Sequence, residues 1–279
     1  MSNRTIKFIA AISMLYDHLL RIFPAEKVLF PLQEWLNGRF PLYTGFWSGL
    51  IDVLSTLSFC VGRLAAPLFM FCIAVGYVHT RNVKKYIGRL AVFALISQLP
   101  YALIFGVAEP RMYGMEPDPW GQDLNFLFTL CLGLVDLWLF DSLRQKYHVA
   151  WGVLAAAGMA GAARFLPVEG GMQTILMIFF FYSMRGLPKL WQGVLWTVLL
   201  PLTRWSLLVW LIHDFSNPST RSTVLLNLAG VYVGILLSLT YNGERGRISR
   251  PLQYGFYWFY PAHLLVLGII GLFTPVLIG

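Results

Sequence analysis

The chain has 279 residues, of which 57% are hydrophobic and only 12% are charged, and its formal net charge is +8. Soluble globular proteins carry about 25% charged residues, so this composition excludes a soluble domain, a disordered chain and a coiled coil. The basic residues are dispersed between apolar runs, which is also untypical of a protein that binds nucleic acid.

The hydropathy pattern predicts an all-α, polytopic integral membrane protein that forms one helical-bundle domain over residues 1–279. A membrane-spanning helix needs about 20 mostly apolar residues. About nine segments meet this description, namely 5–23, 64–80, 87–107, 124–141, 148–166, 171–185, 190–211, 222–240 and 253–275. Residues 28–62 are too interrupted to count, but Gly45–Val61 within them predict an interfacial or re-entrant helix.

The distribution of charge predicts how these spans are oriented. Basic clusters alternate with acidic loops, as where the basic residues of 81–89 are followed by the acidic loop 108–123. Because positively charged loops stay in the cytoplasm, the pattern favours an odd number of spans, with the N-terminus inside and the C-terminus outside. The same bias explains the net charge without an anionic partner.

A cluster of ionisable residues, Asp17, His18 and Arg21, lies within the first predicted span. Ionisable residues inside a span cost about 2.5–3.5 kcal/mol and usually face the bundle interior. Asp17 and Arg21 are four residues apart and can pair on one helix face. His18 lies about 100° around the helix from Asp17, so we do not expect Asp17 to orient the imidazole. His18 is either a hydrogen-bonded structural residue or a general base, since imidazole transfers protons near neutral pH.

The second predicted span carries basic residues at both ends. Arg63, at the outer end, either snorkels to the headgroups or holds a carbonyl or carboxylate group in a cavity. The basic cluster at the inner end either anchors the chain to anionic lipid or binds a phosphorylated donor from the cytoplasm. Its members are His79, Arg81, Lys84, Lys85 and Arg89. The later cytoplasmic loop 239–247 contains Asn-Gly, a strong signal for a tight turn.

The later spans contain three further polar positions. Asn125 opens the fourth span and either caps that helix or binds a polar substrate. Asp136 lies deeper without a basic neighbour in the sequence, so we expect it to be protonated or paired with another helix. His263 follows Pro261, which removes a backbone hydrogen bond and can open the last span locally.

The cysteines and histidines do not indicate a metal site. Cys60, Cys72 and Cys131 lie in apolar sequence without a CxxC motif, so we interpret them as small buried side chains. The five histidines share no ligand spacing, and we expect no metal cofactor.

Short segments in a fixed order connect the chain to a known family. They are Asp17-His18, RLAAPLF at 63–69, HTRN at 79–82 followed by KKY at 84–86 and RL at 89–90, SQLPY at 97–101, LNFLFTL at 124–130, YNGERG at 241–246 and FYPAH at 259–263. In this combination the chain resembles the TraX family, inner-membrane proteins linked to acetylation of the F-pilin N-terminus. It is also similar to the wider group of transmembrane acyltransferases.

The resemblance implies an acyltransferase of the bacterial inner membrane, in the simplest case an acetyltransferase that uses acetyl-CoA. The donor would dock from the cytoplasm. The acceptor would be an amine or hydroxyl group of a protein N-terminus, a glycan or a lipid, and it would arrive from the other side. We expect the donor to bind at His79, Arg81, Asn82, Lys84, Lys85, Tyr86, Arg89, Tyr241, Asn242, Glu244 and Arg245.

On this interpretation the catalytic residues lie in and beside the spans. His18, in the outer half of its helix, would act as general base in a direct transfer, with Asp17 beside it. His263, in the inner half of its own helix, is the alternative base or a covalent acyl carrier. Arg63 or Asn125 would stabilise the developing oxyanion.

Two other classes of protein stay open at this point. A proton-coupled transporter or lipid flippase would use Asp17, Asp136 and His263 as a proton relay, without covalent chemistry. In a membrane scaffold, the same polar residues would only lock helices together.

Overall fold

The computed structural model describes residues 1–244, 246 and 249–278, with the backbone alone for 25–27, 205, 219, 250 and 275–278. Within these residues the chain is helical and has no β-strand, and one isolated bridge joins Leu124 to Val168. Every predicted span coincides with a helix or with a pair of consecutive helices. The prediction of an all-α membrane bundle is therefore confirmed.

The helices are named in chain order. Helices α1 to α13 are Asn3–Ile22, Ala25–Arg39, Thr44–Arg63, Ala65–His79, Val83–Leu103, Glu109–Met112, Phe126–Lys146, Val149–Ala162, Gly171–Ser183, Lys189–Thr203, Trp205–His213, Pro218–Leu239 and Arg250–Ile278. A π-helical turn at Ile104–Ala108 joins α5 to α6, and 3₁₀ turns precede α3 and α10. Polar side chains cap several N-termini, as where Asn82 Oδ1 accepts the Lys85 N–H at 2.9 Å.

In the described part of the chain, five helical segments are long and apolar enough to cross a membrane. They are Pro41–His79, Val83–Met112, Phe126–Lys146, Thr220–Leu239 and Pro251–Thr274. The pair α10 and α11 would add a sixth, although its two helices are bent by 67° at their break. By length and hydropathy, the described residues therefore contain five or six spanning helices, fewer than the predicted number of about nine. The reason is that α8 and α9 are short and α1 carries Lys7, Asp17 and Arg21.

The region of 45–61 is helical, as expected, but it does not turn back as a re-entrant helix would. Only Leu64 separates α3 from α4, and Pro41–His79 form one apolar helical segment of 39 residues. A re-entrant helix needs a sharp reversal, but Pro67 lies in the first turn of α4, where proline is tolerated. The helix therefore continues through this region instead of turning back.

The N-terminus, the α4–α5 turn and the α12–α13 loop meet at one end of the bundle, which we call the inner end. There the Asn3 N–H donates to the Glu244 carbonyl at 2.9 Å, and the Tyr241 hydroxyl lies 3.4 Å from His79 Nε2. Helix α13 starts at the inner end and runs to the opposite, outer end, where Gly271 packs against the end of α1. The start of α1 and the end of α13 thus lie at opposite ends, as the predicted topology requires.

Apolar side chains cover the outside of the bundle, while polar side chains are buried inside it. Leu95, Leu99, Leu154 and Leu190 are each more than 60% exposed. The buried polar residues include Ser97, Asn125, Thr129, Asp136 and His263. This reversal of the usual soluble pattern is what a lipid environment favours.

Two glycines bring α12 into close contact with the α3–α4 junction. A Cβ atom at Gly230 would lie 2.7 Å from the Arg63 Cβ, and one at Gly234 would lie 2.6 Å from the Pro67 Cγ. Their spacing is the small-xxx-small pattern that lets membrane helices pack backbone to backbone. Because Arg63 is a candidate site residue, this contact also helps to position the site.

A larger side chain at Gly234 is expected to destabilise the protein. Overpacking costs about 1–3 kcal/mol in well-packed interiors, so Gly234→Val should lower the thermal unfolding midpoint in detergent. The matched control is Gly255→Val on α13, where an added Cβ meets no atom within 4 Å. Equal midpoints for the two variants would contradict the close packing of α12.

Candidate active site in the bundle interior

Helices α1 and α13 place two imidazoles in direct contact inside the bundle. His18 Nδ1 and His263 Nε2 are 2.8 Å apart, and the residues are only 7% and 6% exposed. The ring planes differ by 10° and the centroids are 5.0 Å apart. The distance between the centroids equals the N–N distance plus about one ring radius for each imidazole. The two rings are therefore nearly coplanar and meet edge to edge through a hydrogen bond.

The contact shows how His18, in the outer half of α1, and His263, in the inner half of α13, come to lie side by side. Helix α13 begins at Arg250, before the predicted start of the last span, and α1 begins at Asn3. At a rise of about 1.5 Å per residue, both histidines lie about 20 Å from the inner ends of their helices. They therefore share one depth in the bundle.

The hydrogen bonds assign a proton to each ring. His263 Nδ1 lies 2.6 Å from the Phe259 carbonyl oxygen, which can only accept, so Nδ1 carries the proton. The Nε2 atom of neutral His263 is then an acceptor, and His18 donates from Nδ1. His18 Nε2 therefore keeps its lone pair. This is the protonation state of a histidine that acts as a general base, in which the other ring N–H donates to an acceptor.

Two ion pairs flank the histidines at the outer end. The Arg63 guanidinium contacts the Asp17 carboxylate, and Arg21 Nη1 lies 2.9 Å from Glu109 Oε1. The predicted pairing within α1 is weak, since Arg21 Nε is 3.9 Å from the Asp17 carboxylate. Asp17 is therefore held by α3 rather than by its own helix, and it does not orient the His18 ring, whose partner is His263.

A cavity of about 230 Å³ lies beside His18, and we call it the outer cavity. Its polar lining consists of Asp17, His18, Arg21, Arg63, Glu169, Thr174, Arg204, Asn227 and Tyr260. Within the described residues, Arg63 Nε, Arg204 Nε and Asn227 Oδ1 are buried without a hydrogen-bond partner. The cavity thus offers both donors and an acceptor to a bound polar molecule.

Glu169 was not singled out by the sequence, and it reaches the outer cavity through a short backbone clamp. The Glu169 N–H donates to the Leu124 carbonyl at 2.9 Å, and the Thr129 hydroxyl donates to the Glu169 carbonyl at 2.5 Å. The backbone N–H of Phe126, in the first turn of α7, favours the charged form of its carboxyl group. The loop between α8 and α9 is therefore tied to α7, which directs the carboxyl group inward.

The ionisation of Glu169 is expected to make stability depend on pH. Burial in the cavity raises the pKa of Glu169 to about 7, a shift that Asp17 reinforces and that Arg21 and Arg63 oppose. The folded state then holds this proton more tightly than the unfolded chain, so stability falls as pH rises from about 4.5 through about 7. Thermal unfolding between pH 5 and pH 8 should show this decline, and Glu169→Gln should flatten it. An unchanged pH profile in that variant would show that another group is responsible.

Two further cavities lie between the inner end and the outer cavity. The inner cavity, about 250 Å³, is lined by Lys7, His79, Tyr86, Arg89 and Tyr257 among others. The middle cavity, about 110 Å³, shares four residues with it, namely Lys7, Tyr86, Gln253 and Tyr257. The middle and outer cavities share Met14, Phe69, Phe126 and Tyr260. We call this series of cavities with common walls, between α1, α4, α5 and α13, the passage.

A separate basic groove opens at the inner end between α4, α9, α10 and α12. It has a volume of about 510 Å³ and contains His79, Arg185 and Lys189, with no carboxylate in its lining. The Arg185 guanidinium lies 3.9 Å from the centre of the Tyr182 ring, and Lys189 Nζ donates to the Tyr241 carbonyl at 2.6 Å. Among the described residues, neither cation forms an ion pair, so the groove carries positive charge that no carboxylate balances there.

The residues predicted to bind the donor fall into two groups. His79, Tyr86 and Arg89 line the inner cavity, while Tyr241 and Asn242 join His79 in the basic groove. His79 thus lies on the border between the passage and the groove.

The other predicted donor residues line neither cavity. Arg81, Asn82, Lys84 and Lys85 are exposed, and the Asn82 side chain is used as the cap of α5. The Glu244 carboxylate accepts from the Asn242 amide at 3.1 Å. Arg245 lies outside the described residues.

Asn125 and Asp136 do not reach the site. Asn125 Oδ1 caps α7, and its Nδ2 donates at 2.8 Å both to the Ala94 carbonyl and to Gln98 Oε1. The amide is fully used by these contacts, so it does not supply the oxyanion donor that we considered. Asp136 is 1% exposed, and neither carboxylate oxygen has a partner among the described residues. The expected pairing with another helix is therefore not observed.

Fold and site together define a polytopic helical membrane protein with a buried histidine pair and a row of neighbouring cavities between its two ends. The TraX protein family model matches residues 2–271, and the chain belongs to the TraX family. The sequence is 28% identical over 212 residues to the "Probable fimbrial assembly protein FimC, serogroup H1" of Dichelobacter nodosus, covering 74% of this chain and 80% of that protein. No solved structure matches the chain. The resemblance noted from short segments is thus confirmed.

Proposed function

We propose that the protein is an acyltransferase of the bacterial inner membrane. It would move an acyl group, in the simplest case acetyl, from cytoplasmic acyl-CoA to an amine or hydroxyl group that arrives from the opposite side. The observation that carries this proposal is the His18–His263 pair. In this pair His18 Nε2 is unprotonated, and His18 lines the outer cavity. The outer cavity in turn shares wall residues with the middle cavity of the passage.

The chemistry requires one proton transfer and one acyl transfer. His18 Nε2 takes the proton of the acceptor N–H or O–H group as the nitrogen or oxygen attacks the thioester carbonyl carbon. A new C–N or C–O bond forms, the C–S bond breaks, and the CoA thiolate receives the proton from His18. His263 holds the ring in position and is a positioning residue in this scheme.

The oxyanion that forms at the carbonyl carbon needs a hydrogen-bond donor. Arg63 lies on the outer cavity, and its Nε has no hydrogen-bond partner among the described residues, although its Nη2 contacts Asp17. A donor of this kind contributes about 100- to 1,000-fold to turnover in hydrolases that form an oxyanion. We therefore assign this role to Arg63 rather than to Asn125.

The donor enters from the inner end in this proposal. Its phosphate groups are held in the basic groove by Arg185 and Lys189, which we add to the residues expected from the sequence. Its thioester arm follows the passage beyond His79 and Arg89. The aromatic walls of the groove, Phe71, Phe181, Tyr182 and Tyr241, suit a nucleobase.

The acceptor comes from the outer end. The name of the Dichelobacter nodosus relative and the known role of the family both concern pili. The amino terminus of an exported pilin-like protein is therefore one acceptor to test, together with amino sugars and lipid headgroups.

The test is the release of free CoA. Protein purified in detergent is incubated with acetyl-CoA and with each acceptor class, and the new thiol is detected with a dye while mass spectrometry follows the acceptor. We expect thiol release together with a matching acetylated product. Solute movement in proteoliposomes without any thiol release would instead support the transporter or flippase class.

A further inference from the structure

Three guanidinium groups line the outer cavity, and they differ in how their charge is balanced among the described residues. Two of them are paired, Arg63 with Asp17 and Arg21 with Glu109. Arg204 has no carboxylate partner in the described part of the chain. Its Nη1 donates to Gln173 Oε1 at 3.3 Å, while its Nε is buried without a partner.

The surroundings of Arg204 hold it at the cavity wall. It occupies the break between α10 and α11, where the two helices are bent by 67°. Gln173 accepts from it and in turn donates to the Ser206 hydroxyl at 2.9 Å. Arg63 lines the same cavity and adds a second positive charge there. A buried cation next to another cation is costly unless an anion joins them.

Asn227 adds a second polar group without a partner. Its Oδ1 is buried and unbonded in the described residues, and it lines the same cavity from α12. His18 lines that cavity as well. One molecule can therefore meet Arg204, Asn227 and His18 together.

We infer that the outer cavity selects an acceptor that carries a carboxylate or phosphate group close to its nucleophile, with Arg204 binding that anion. This inference rests on the proposed acyl transfer and specifies its acceptor. The anion binds the Arg204 guanidinium, and the amine or hydroxyl group of the same molecule faces His18 Nε2. The cavity of about 230 Å³ holds only the reactive end of such an acceptor.

Matched acceptors test the inference. Glucosamine is compared with glucosamine 6-phosphate, and alaninamide with alanine, since the members of each pair differ in the anionic group. We expect CoA release to be about 10- to 100-fold faster with the anionic member, as one charge-assisted hydrogen bond allows. Arg204→Gln should abolish this preference, and Arg204→Lys should restore part of it. The control, Arg164→Gln, removes an exposed guanidinium from the loop that carries Glu169 and should keep the preference.

The results separate this inference from the proposed function. CoA release without a preference, or with a preference that survives Arg204→Gln, would overturn the anion site and leave acyl transfer standing. If CoA is released with none of the acceptors, the proposed acyl transfer is wrong, and a binding experiment then tests the anion site separately. Inorganic phosphate or acetate should then raise the thermal midpoint of the wild type but not of Arg204→Gln. Equal shifts in both proteins would overturn the site.

The source of the anion is resolved by a lipid comparison. Proteoliposomes of phosphatidylcholine alone are compared with proteoliposomes that also contain phosphatidic acid. If the headgroup is the natural anion, phosphatidic acid should occupy the site. Soluble phosphate should then no longer produce the Arg204-dependent rise in the thermal midpoint. If the acceptor is a soluble molecule, that effect should persist in both membranes. An effect of phosphate that is independent of Arg204 in both membranes would overturn the site.

Discussion

Replacement of His18 by glutamine is expected to lower acyl-transfer turnover by about 100- to 10,000-fold, because general-base catalysis contributes on that scale. Glutamine keeps a polar side chain near His263 but has no basic nitrogen at the position of His18 Nε2. The donor affinity should change little, since His18 lies in the outer cavity, away from the basic groove. The measurement is the rate of thiol release at saturating acetyl-CoA.

Two other histidines complete this experiment. His213→Gln alters an exposed residue at the end of α11 and serves as the matched control, for which we expect wild-type turnover. His263→Gln should show an intermediate loss and a changed pH profile, because it disturbs the hydrogen bond that fixes the His18 proton. Turnover in His18→Gln equal to that of the control, with an intact elution profile, would reject His18 as the base.

The sequence identified those site residues that stand out against an apolar background. His18, Asp17, Arg63 and His263 lie in or next to predicted spans, where an ionisable side chain is costly and thus conspicuous. Their pairing did not follow from local spacing. His18 and His263 are 245 positions apart, and the partner of Asp17 comes from α3 rather than from α1.

Other residues of the site gave no such signal. Glu169 lies in a polar loop, where one carboxylate is unremarkable, and only the backbone clamp to Leu124 brings it inward. Arg204 is the exception, because it lies inside the predicted span 190–211, where a charged side chain is costly; what the sequence did not indicate is the helix break that places it at the cavity wall. Arg185 and Lys189 fit the topogenic pattern of a cytoplasmic loop, so their place in a common groove became visible only in the fold.

The continuous helix over Pro41–His79 shows the same limit for the fold. Hydropathy found α4 but placed its start at 64, because the polar and glycine-rich residues of 45–61 lowered the average. What decides continuity is that Pro67 falls in the first turn of α4, where proline is tolerated, together with packing against α12, whose two glycines are far away in sequence. Composition alone reports how apolar a helix is, not which partner its polar face contacts.

Charge reversal in the basic groove is expected to weaken donor binding by about 100-fold, since two charge-assisted hydrogen bonds to phosphate are lost. The variant is Arg185→Glu with Lys189→Glu, and the measurement is the dissociation constant of adenosine 3′,5′-bisphosphate and of acetyl-CoA in detergent. The turnover extrapolated to saturating donor should stay close to the wild-type value, because neither residue lines the outer cavity.

The matched control is Lys84→Glu with Lys85→Glu, which changes the net charge by the same amount on the exposed face of α5. Lys84 and Lys85 were among the residues expected to bind the donor, so the comparison decides between the two surfaces. A loss of donor affinity that is confined to the groove variant would support the groove as the donor site, as would a further weakening of donor binding by salt. A loss confined to the control would return the phosphates to the exposed lysines and leave the basic groove to another ligand. Equal losses in the two variants would indicate long-range attraction of the donor by the whole inner end rather than a built phosphate site.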